Sequence, residues 1–383
     1  MEHFERSIQN AVLQDLKKKM VLLSGPRQVG KTVFAQNLSR QFQYLNFDSL
    51  DDRAILLASS WDRVQPLIIF DEIHKMKNWK SWLKGIYDKE KEKNKFLVTG
   101  SARLDLAKKV GDSLAGRFYA HRLHPLDIKE LRNSMAPEEA LSALLRFSGF
   151  PEPFFSQSED TYRRWRLTHL DIILRQDLIS LESVRDISGI ETLVMLMQSS
   201  AGKQIAYANL AQDLERDPKT VKSWLQLLEN LFVMFKVIPF SKNITKSLLK
   251  EPKFYFYDLG RVTSGEGEKL ENLVALALKK ELDRVQDQTG RKGNLYYLQN
   301  KERKEIDFLV LIEGLKPLMV EVKTSDSARS KGFSYFYGFF KNVRGVQLVK
   351  NLSQDQERTF DDGVEIRALA PWLASMDLSN NNK

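Results

Sequence analysis

The chain has 383 residues and no cysteine, and its 59 lysines and arginines exceed its 50 acidic residues to give a formal net charge of +9. This length predicts about two to four domains, and a chain without cysteine cannot form disulfides, thiolate metal sites or a cysteine nucleophile. A content of 42% hydrophobic and 28% charged residues excludes a long disordered or fibrous chain.

The apolar runs of the sequence are much shorter than the ~18–20 residues that cross a bilayer. The first residues lack the basic and apolar regions of a signal peptide. We therefore expect a cytoplasmic protein with no membrane segment. The positive charge balance favours a polyanionic partner, although a basic surface that only aids solubility would have the same balance.

Short apolar strands alternate with helices over residues 1–125. The strands are predicted at residues 20–23, 44–47, 67–70 and 96–99. This alternation predicts an α/β fold with a parallel, doubly wound sheet.

A phosphate-binding loop follows the first predicted strand and opens a helix. It fits the G-x-x-x-x-G-K-[ST] pattern with the residues Gly25, Pro26, Arg27, Gln28, Val29, Gly30, Lys31 and Thr32. The glycines let backbone N–H groups face the β- and γ-phosphates, and Lys31 adds a positive charge. Thr32 is expected to ligate Mg²⁺. The loop therefore predicts that the chain binds ATP and Mg²⁺.

Two acidic residues, Asp71 and Glu72, end the third predicted strand. The carboxyl edge of a parallel sheet is where ligands bind, so we expect Asp71 to hold the metal through its water shell. Glu72 is then the candidate that orients and polarises the attacking water. Thr99 and Ser101, at the tip of the next predicted strand, are placed to sense the γ-phosphate or to position water.

These motifs resemble those of the AAA+ ATPases, which combine a phosphate loop, an Asp-Glu strand and a polar strand tip. The resemblance implies that Arg117 is an arginine finger reaching the nucleotide of a neighbouring subunit, with Arg103 as its rival. It also implies a homo-oligomer, most typically a hexamer. The pattern over residues 126–198 is helical and fits a lid, and the resemblance implies that this lid supplies a second sensing arginine. Four arginines remain open for that role: Arg163, Arg164, Arg166 and Arg175.

Residues 199–262 are predicted to form a winged helix, in which two helices meet at a tight turn and two apolar strands follow. Lys219 and Lys222 lie outside the apolar stripe of the second helix. They are candidates for contacts with DNA phosphates. Because many winged helices only mediate protein contacts, both roles stay open.

Residues 263–383 return to mixed α/β structure and contain a cluster of acids with one lysine. Glu271 lies on the apolar stripe of a predicted helix and points inward. Asp307 lies on a predicted strand, and Glu321 and Lys323 share one face of the next strand because side chains alternate along a strand.

This arrangement resembles the restriction-endonuclease-like PD-(D/E)xK nucleases. The resemblance implies that two of the carboxylates bind a divalent metal ion and that Lys323 assists the nucleophile, with Gln299 as an additional polar group. A surface salt bridge, or a related fold that keeps its acids without cleaving, remains an alternative.

The domain order as a whole resembles a group of prokaryotic AAA+ ATPases that carry a C-terminal domain of unknown function. The resemblance defines the domains more than the biological role, and three functions stay open. The first is an oligomeric, Mg²⁺-dependent ATPase acting on DNA, including branched or junction DNA. The second is a metal-dependent DNA nuclease gated by ATP, and the third is a nucleotide-dependent switch that binds a protein partner.

Overall fold

The computed structural model describes residues 4–100, 114–178, 186–241, 251–325, 328–340 and 342–380. The chain forms two compact units. The first comprises Met1–Pro125 with Asn230–Phe232, and the second comprises Leu126–Glu229 with Val233–Lys383. No helix among the described residues is both long enough and apolar enough to cross a bilayer.

A five-stranded parallel sheet forms the centre of the first unit. Its strands are β1 (Met20–Ser24), β2 (Phe42–Asn46), β3 (Leu67–Asp71), β4 (Lys95–Thr99) and β5 (Phe118–Arg122). The spatial order is β2-β3-β4-β1-β5, and every neighbouring pair runs parallel. The predicted α/β fold with a parallel sheet is therefore confirmed. Since β4 lies between β1 and β3, its tip separates the phosphate loop from the strand that ends in Asp71.

The helices of the first unit alternate with these strands. They are α1 (Gln9–Leu16), α2 (Lys31–Gln36), α3 (Leu50–Ala58) and α4 (Trp79–Glu90), and a 3-10 turn covers Ile73–Lys75. The strands β1 and β3 are buried along their whole length, as expected for strands covered on both faces. Aromatic rings fill the core on one side, where the Phe70 ring lies 5.3 Å from Trp82 and 5.6 Å from Phe96.

The second unit begins with a helical region. Its helices are α5 (Ile128–Leu131), α6 (Pro137–Phe147), α7 (Pro151–Ser156), α8 (Glu159–Ile172), a π-helical segment (Ile173–Leu178), α9 (Ile187–Gln198), α10 (Tyr207–Asp213) and α11 (Pro218–Asn230). Prolines open α6, α7 and α11, at the position where a helix tolerates a missing N–H.

An eight-stranded mixed sheet forms the rest of the second unit. Its strands are β6 (Met234–Pro239), β7 (Lys253–Phe256), β8 (Gly293–Gln299), β9 (Glu305–Ile312), β10 (Leu318–Lys323), β11 (Arg344–Val349), β12 (Arg358–Thr359) and β13 (Val364–Ala368). The spatial order is β12-β13-β11-β10-β9-β8-β6-β7. The strands β8, β9 and β10 form an antiparallel meander, and β11 pairs parallel with β10.

Among the described residues, three further helices and four 3-10 turns accompany this sheet. They are α12 (Glu266–Thr289), α13 (Lys331–Phe336) and α14 (Leu369–Ser375), with turns at Leu259–Arg261, Tyr337–Phe339, Gln354–Gln356 and Leu378–Asn380.

The hairpin of β6 and β7 belongs to the same sheet as the later strands. The sequence interpretation assigned it to a separate winged helix, but Ile238 and Pro239 of β6 pair with Tyr296 and Tyr297 of β8. The predicted boundary between residues 262 and 263 therefore falls within one continuous sheet. This pairing joins segments far apart in the chain, so no local pattern could reveal it.

Candidate functional site

The turn between β1 and α2 depends on its glycines. Gly25 has a φ of +149°, and a Cβ atom there would lie 2.2 Å from the backbone oxygen of Leu123. Only glycine therefore fits beside the chain that follows β5. Gly30 immediately precedes α2 with a φ of 93°, in the left-handed region that glycine adopts without strain.

The Lys31 side chain is held at this loop. Its ammonium group donates to the backbone oxygens of Gly25, at 3.0 Å, and Pro26, at 2.7 Å. The side chain is buried. The loop therefore keeps a full positive charge beside the backbone that the motif assigns to phosphate binding.

Asp71, at the end of β3, is the centre of a hydrogen-bond network. Its Oδ2 accepts from the hydroxyls of Thr32, at 3.0 Å, and Tyr44, at 2.6 Å. Its Oδ1 accepts from the Thr99 hydroxyl, at 2.6 Å, and from the backbone N–H of Glu72, at 3.0 Å. A carboxylate has about four lone-pair sites, so these donors saturate it. Because its lone pairs are occupied, Asp71 is better suited to hold a metal ion indirectly, through Thr32 and water, than to ligate it directly.

Tyr44 is a member of this network that the sequence interpretation missed. It lies on β2 opposite Ile69 of β3, and burial followed by the bond to Asp71 raises the pKa of its hydroxyl far above the usual range. The hydroxyl therefore stays protonated and donates. The only signal in the sequence was a tyrosine on a strand, which is common in strands of any function.

Glu72 adopts an uncommon backbone conformation beside the network. Its φ is 54°, which for a residue other than glycine indicates a local constraint and is frequent at functional sites. Its N–H also donates to the Thr99 oxygen at 3.1 Å. The side-chain atom Oε2 is buried and accepts no hydrogen bond from the described residues, although Lys75 Nζ lies 3.4 Å away.

Burial raises the pKa of Glu72, the Lys75 cation lowers it, and Asp71 raises it again. The net shift is upward. A carboxylate with a raised pKa and a buried oxygen without a donor is suited to accept a proton.

Arg6 is a second residue that the sequence interpretation missed. Its guanidinium is buried and donates to the backbone oxygens of Val29, at 3.3 Å, and His124. It thereby ties the phosphate loop to the segment after β5. An isolated arginine near the start of a chain has no sequence pattern that would predict this contact.

Arg117, the candidate arginine finger, lies immediately before β5 and pairs with Asp88 of α4. Its Nε donates to Asp88 Oδ1 at 2.7 Å, and its Nη2 donates to Oδ2 at 2.9 Å. Its side chain is 28% exposed. The role of Arg117 at a neighbouring subunit stays a prediction, and its rival Arg103 lies outside the described residues, as does Ser101.

The four candidate lid arginines lie on or just after α8 in the second unit and differ in their contacts. Arg163 pairs with Glu159, Arg175 pairs with Asp171, and Arg166 donates to the backbone oxygen of Gly260 at 2.7 Å. Arg164 is exposed. The choice among them stays open.

The second helix of the predicted winged helix, α11, buries one face and exposes the other. The buried face consists of Val221, Trp224, Leu225 and Leu228. Lys219 and Lys222 are exposed, and neither forms an ion pair with the parts of the chain that the structure describes.

The structure also brings the C-terminal acids together. Asp307 on β9 and Glu321 on β10 are neighbours: the Asp307 N–H donates to Glu321 Oε2 at 3.4 Å, and the Val322 N–H donates to Asp307 Oδ2 at 2.8 Å. Lys323 Nζ lies 2.9 Å from Glu321 Oε1. The shared face predicted for Glu321 and Lys323 is therefore observed.

A second lysine lies among these acids. Lys253 Nζ is 3.2 Å from Glu271 Oε1 and 2.5 Å from Glu305 Oε1. The Tyr255 hydroxyl donates to the same Glu271 oxygen at 2.6 Å, and Gln299 Nε2 donates to Glu305 Oε2 at 2.8 Å. We use the name C-terminal acid cluster for the four acids Glu271, Glu305, Asp307 and Glu321.

The sequence interpretation missed Lys253, Tyr255 and Glu305. The alternation along β7 places Lys253 and Tyr255 on one face, which was a usable signal, but their acidic partners lie on α12 and β9. Burial lowers the pKa of Lys253, and the carboxylates of Glu271, Asp307 and Glu305 more than offset this, so the net shift is upward and the lysine stays charged.

The acids themselves are shifted toward their protonated forms. Burial, followed by Glu321 and Glu271, raises the pKa of Asp307 well above its usual range. Burial also raises the pKa of Glu321, while Lys323 lowers it. Within the described residues, no group of three or more histidine, aspartate or glutamate side chains is arranged to hold a metal ion.

Three family models match consecutive parts of the chain. Residues 17–132 match an AAA domain, residues 138–267 match the domain of unknown function DUF8612, and residues 266–370 match the domain of unknown function DUF4143. The match over residues 17–132 supports a P-loop ATPase domain in this part of the chain, and with it nucleotide binding. The winged helix and the restriction-endonuclease-like fold stay predictions.

The chain is also similar to whole proteins. Uncharacterized protein Rv2008c of Mycobacterium tuberculosis is 25% identical over 80% of this chain and 71% of its own length. Uncharacterized protein MJ1544 of Methanocaldococcus jannaschii is 24% identical over 93% of this chain and 88% of its own length.

One solved structure that matches this chain is a Signal Transduction ATPase with Numerous Domains (STAND) protein with a tetratricopeptide repeat sensor from Pyrococcus horikoshii. It is 15% identical, and the match covers 75% of this chain and 48% of that chain. Its TM-score of 0.29 is too low to support an argument about fold.

Proposed function

We propose that this protein is a Mg²⁺-dependent AAA+ ATPase that hydrolyses ATP at the loop between β1 and α2, and that it acts on DNA as a homo-oligomer. The observation that carries the proposal is the network on Asp71. It joins Thr32 of the phosphate loop, Thr99 of β4 and the backbone of Glu72 through one carboxylate. Three motifs that are separate in the sequence thus meet at the edge of one sheet.

Each residue of this site has a distinct chemical role. The loop amides and Lys31 bind the β- and γ-phosphates of ATP. Thr32, together with Asp71 acting through water, would hold Mg²⁺, which when bound would neutralise charge on the phosphates. Glu72 accepts a proton from the attacking water, and Thr99 fixes the orientation of Asp71.

The hydrogen bonds of Thr32 and Asp71 are compatible with a magnesium ion at this site. The Thr32 hydroxyl donates a hydrogen bond to Asp71 Oδ2. The lone pairs of the Thr32 oxygen therefore stay available to a cation. Tyr44 occupies another lone-pair site of Asp71, and its hydroxyl keeps the carboxylate in this orientation. Oxygen ligands from one hydroxyl and water are what Mg²⁺ prefers.

The DNA part of the proposal is supported by charge. The chain carries a net charge of +9, and Lys219 and Lys222 are exposed on one helix of the second unit. Lysines that neutralise phosphates release counterions when a protein binds DNA. Binding should therefore weaken steeply as salt is raised.

The experiment that tests this function measures ATP hydrolysis without DNA and with duplex, single-stranded and branched DNA. We expect hydrolysis that requires Mg²⁺ and rises with at least one DNA. Hydrolysis that no DNA changes, together with no DNA binding, would contradict the DNA part and favour a switch that binds a protein partner.

A titration of DNA binding at several salt concentrations separates the contribution of Lys219 and Lys222 from that of the overall positive charge. In the double variant Lys219→Ala and Lys222→Ala, the slope of log affinity against log salt should become shallower by about 2. ATP hydrolysis without DNA serves as the control and should not change. An unchanged slope would remove α11 from the DNA interface.

A further inference from the structure

The C-terminal acid cluster contains a cation of its own. The nuclease resemblance implies a divalent metal ion held by two of these carboxylates, yet the ammonium group of Lys253 already contacts two of the four acids, Glu271 and Glu305. We propose that Lys253 is the resident cation of the C-terminal acid cluster, so that the cluster does not bind a divalent metal ion and does not cleave DNA.

The position of Lys253 is the first support. Its ammonium group lies between Glu271 of α12 and Glu305 of β9, at 3.2 Å and 2.5 Å. The residue is only 4% exposed. A buried lysine is retained where it has acidic partners, and here it has two. A divalent ion at these oxygens would be repelled by the ammonium group, since both are positive and would be only a few ångströms apart.

The remaining pair of acids is also engaged. Glu321 Oε1 accepts from Lys323, at 2.9 Å, and from the Ser330 hydroxyl, at 3.1 Å. Glu321 Oε2 accepts from the Asp307 N–H, and Asp307 Oδ2 accepts from the Val322 N–H. A metal ion would have to displace these donors to reach the octahedral oxygen shell that Mg²⁺ requires.

The fold places Lys253 in the cluster and holds it there. Asn272, next to Glu271 on α12, accepts from the Phe256 N–H at 2.7 Å and donates to the Phe256 oxygen at 2.8 Å. These two hydrogen bonds attach α12 to β7 beside Glu271 and so align Glu271 with the strand that carries Lys253 and Tyr255. The ammonium group is therefore a fixed part of the cluster.

The chemical consequence is a cluster whose negative charge is partly neutralised by two lysines. Three of its four acids, Glu271, Glu305 and Glu321, contact a lysine ammonium group. Such a cluster lacks the bound metal ion that would activate water and stabilise a cleaved phosphate. The second unit then recognises a partner without cutting it, and ATP hydrolysis in the first unit is the chemical activity of the chain.

The test is Mn²⁺ binding to the full chain, without nucleotide, by isothermal titration calorimetry. Four proteins are compared: the parent, Asp307→Asn, Lys253→Met, and the double variant Lys253→Met with Asp307→Asn. The phosphate loop is identical in all four, so differences report on the cluster. We expect the parent and Asp307→Asn to bind Mn²⁺ equally. Lys253→Met should bind Mn²⁺ at least about tenfold more tightly than the parent, at a new site. The double variant should lose that site.

Two results would overturn the proposal. One is Mn²⁺ binding by the parent that Asp307→Asn removes. The other is a Lys253→Met variant that folds and gains no site, because the lysine would then not be what excludes the metal. If Lys253→Met does not fold, the comparison of the parent with Asp307→Asn decides alone.

A cleavage assay provides an independent readout. We expect the parent to leave duplex, single-stranded and branched DNA intact with Mg²⁺ or Mn²⁺ present. DNA cleavage by the parent that disappears in Asp307→Asn, with ATP hydrolysis retained, would contradict the inference. Failure of ATP hydrolysis itself would contradict the proposed function only, because that site lies in the other unit.

Discussion

Asp71 and Glu72 are adjacent in the chain but face different surroundings. Asp71 accepts four hydrogen bonds, whereas Glu72 keeps one buried oxygen that accepts none from the described residues. Saturation favours a carboxylate of fixed orientation, and an oxygen without a donor favours proton transfer. The two acids can therefore divide metal holding and base catalysis between them.

Substitutions at Lys31 and Glu72 should separate binding from turnover. Lys31→Ala removes the charge that the loop presents to phosphates, so ATP binding should be lost. Glu72→Gln keeps the shape but cannot accept a proton, so ATP should still bind while hydrolysis falls by about 10²–10⁴-fold. Binding is measured with a fluorescent nucleotide and hydrolysis by phosphate release. Hydrolysis by Glu72→Gln at the parent rate would show that another group is the base.

The pH dependence of hydrolysis should report the environment of Glu72. A general base works only when deprotonated, so kcat/KM should fall as the pH drops through its pKa. Because the Lys75 cation lowers that pKa, Lys75→Ala should raise it and move the acidic limb of the profile to higher pH. Lys77→Ala, at an exposed lysine two positions away, is the matched control and should leave the limb in place. A limb that does not move in Lys75→Ala argues against Glu72 as the titrating group.

At the scale of elements, α12 and β7 form the frame of the C-terminal acid cluster. The helix is buried on all sides between Asn272 and Leu278, and Asn272, one of its buried polar residues, binds both the N–H and the oxygen of Phe256. A backbone pair served by one side chain has no replacement partner when that side chain is removed. Its loss should therefore cost more than an average hydrogen bond.

We expect Asn272→Ala to lower the free energy of unfolding of the second unit by about 2–4 kcal/mol. The measurement is urea denaturation followed by tryptophan fluorescence. Asn294→Ala, at an exposed position on β8, is the control and should change stability by no more than about 0.5 kcal/mol. Equal stability of the two variants would mean that the bond between α12 and β7 adds little.

At the scale of the whole molecule, assembly decides whether Arg117 is a finger or only a surface ion pair. Within one chain the arginine pairs with Asp88. In a finger role it would leave that carboxylate and approach the γ-phosphate bound to a neighbour. The two roles make different demands on Asp88, since only the ion-pair role needs it.

Arg117→Ala should therefore reduce hydrolysis by about 10³–10⁵-fold with ATP affinity nearly unchanged. Asp88→Asn breaks the same ion pair but keeps the arginine, and should retain most of the activity. Mixing Arg117→Ala with Glu72→Gln subunits should restore partial hydrolysis, because some interfaces then combine an intact base with an intact arginine. Equal loss of activity in Asp88→Asn, or no recovery in any mixture under conditions of subunit exchange, would contradict a shared site.

The sequence by itself determined the features whose signals are local. The phosphate loop is a contiguous pattern, and the apolar runs predicted β1, β3 and β4 at the residues where the structure has them. Alternation along a strand likewise predicted that Glu321 and Lys323 lie together, and they do. Each of these inferences needs only the geometry of a few neighbouring residues.

Only the tertiary structure decided which distant segments meet. Tyr44 contacts Asp71 because β2 pairs with β3, and Lys253 contacts the acid cluster because β7 packs against α12. Arg6 donates to the backbone oxygen of Val29, 23 positions further along the chain. The joining of β6 to β8 in one sheet is of the same kind. A lone tyrosine, arginine or lysine has no periodicity, so its partner is set by strand order and helix packing and not by its own sequence neighbourhood.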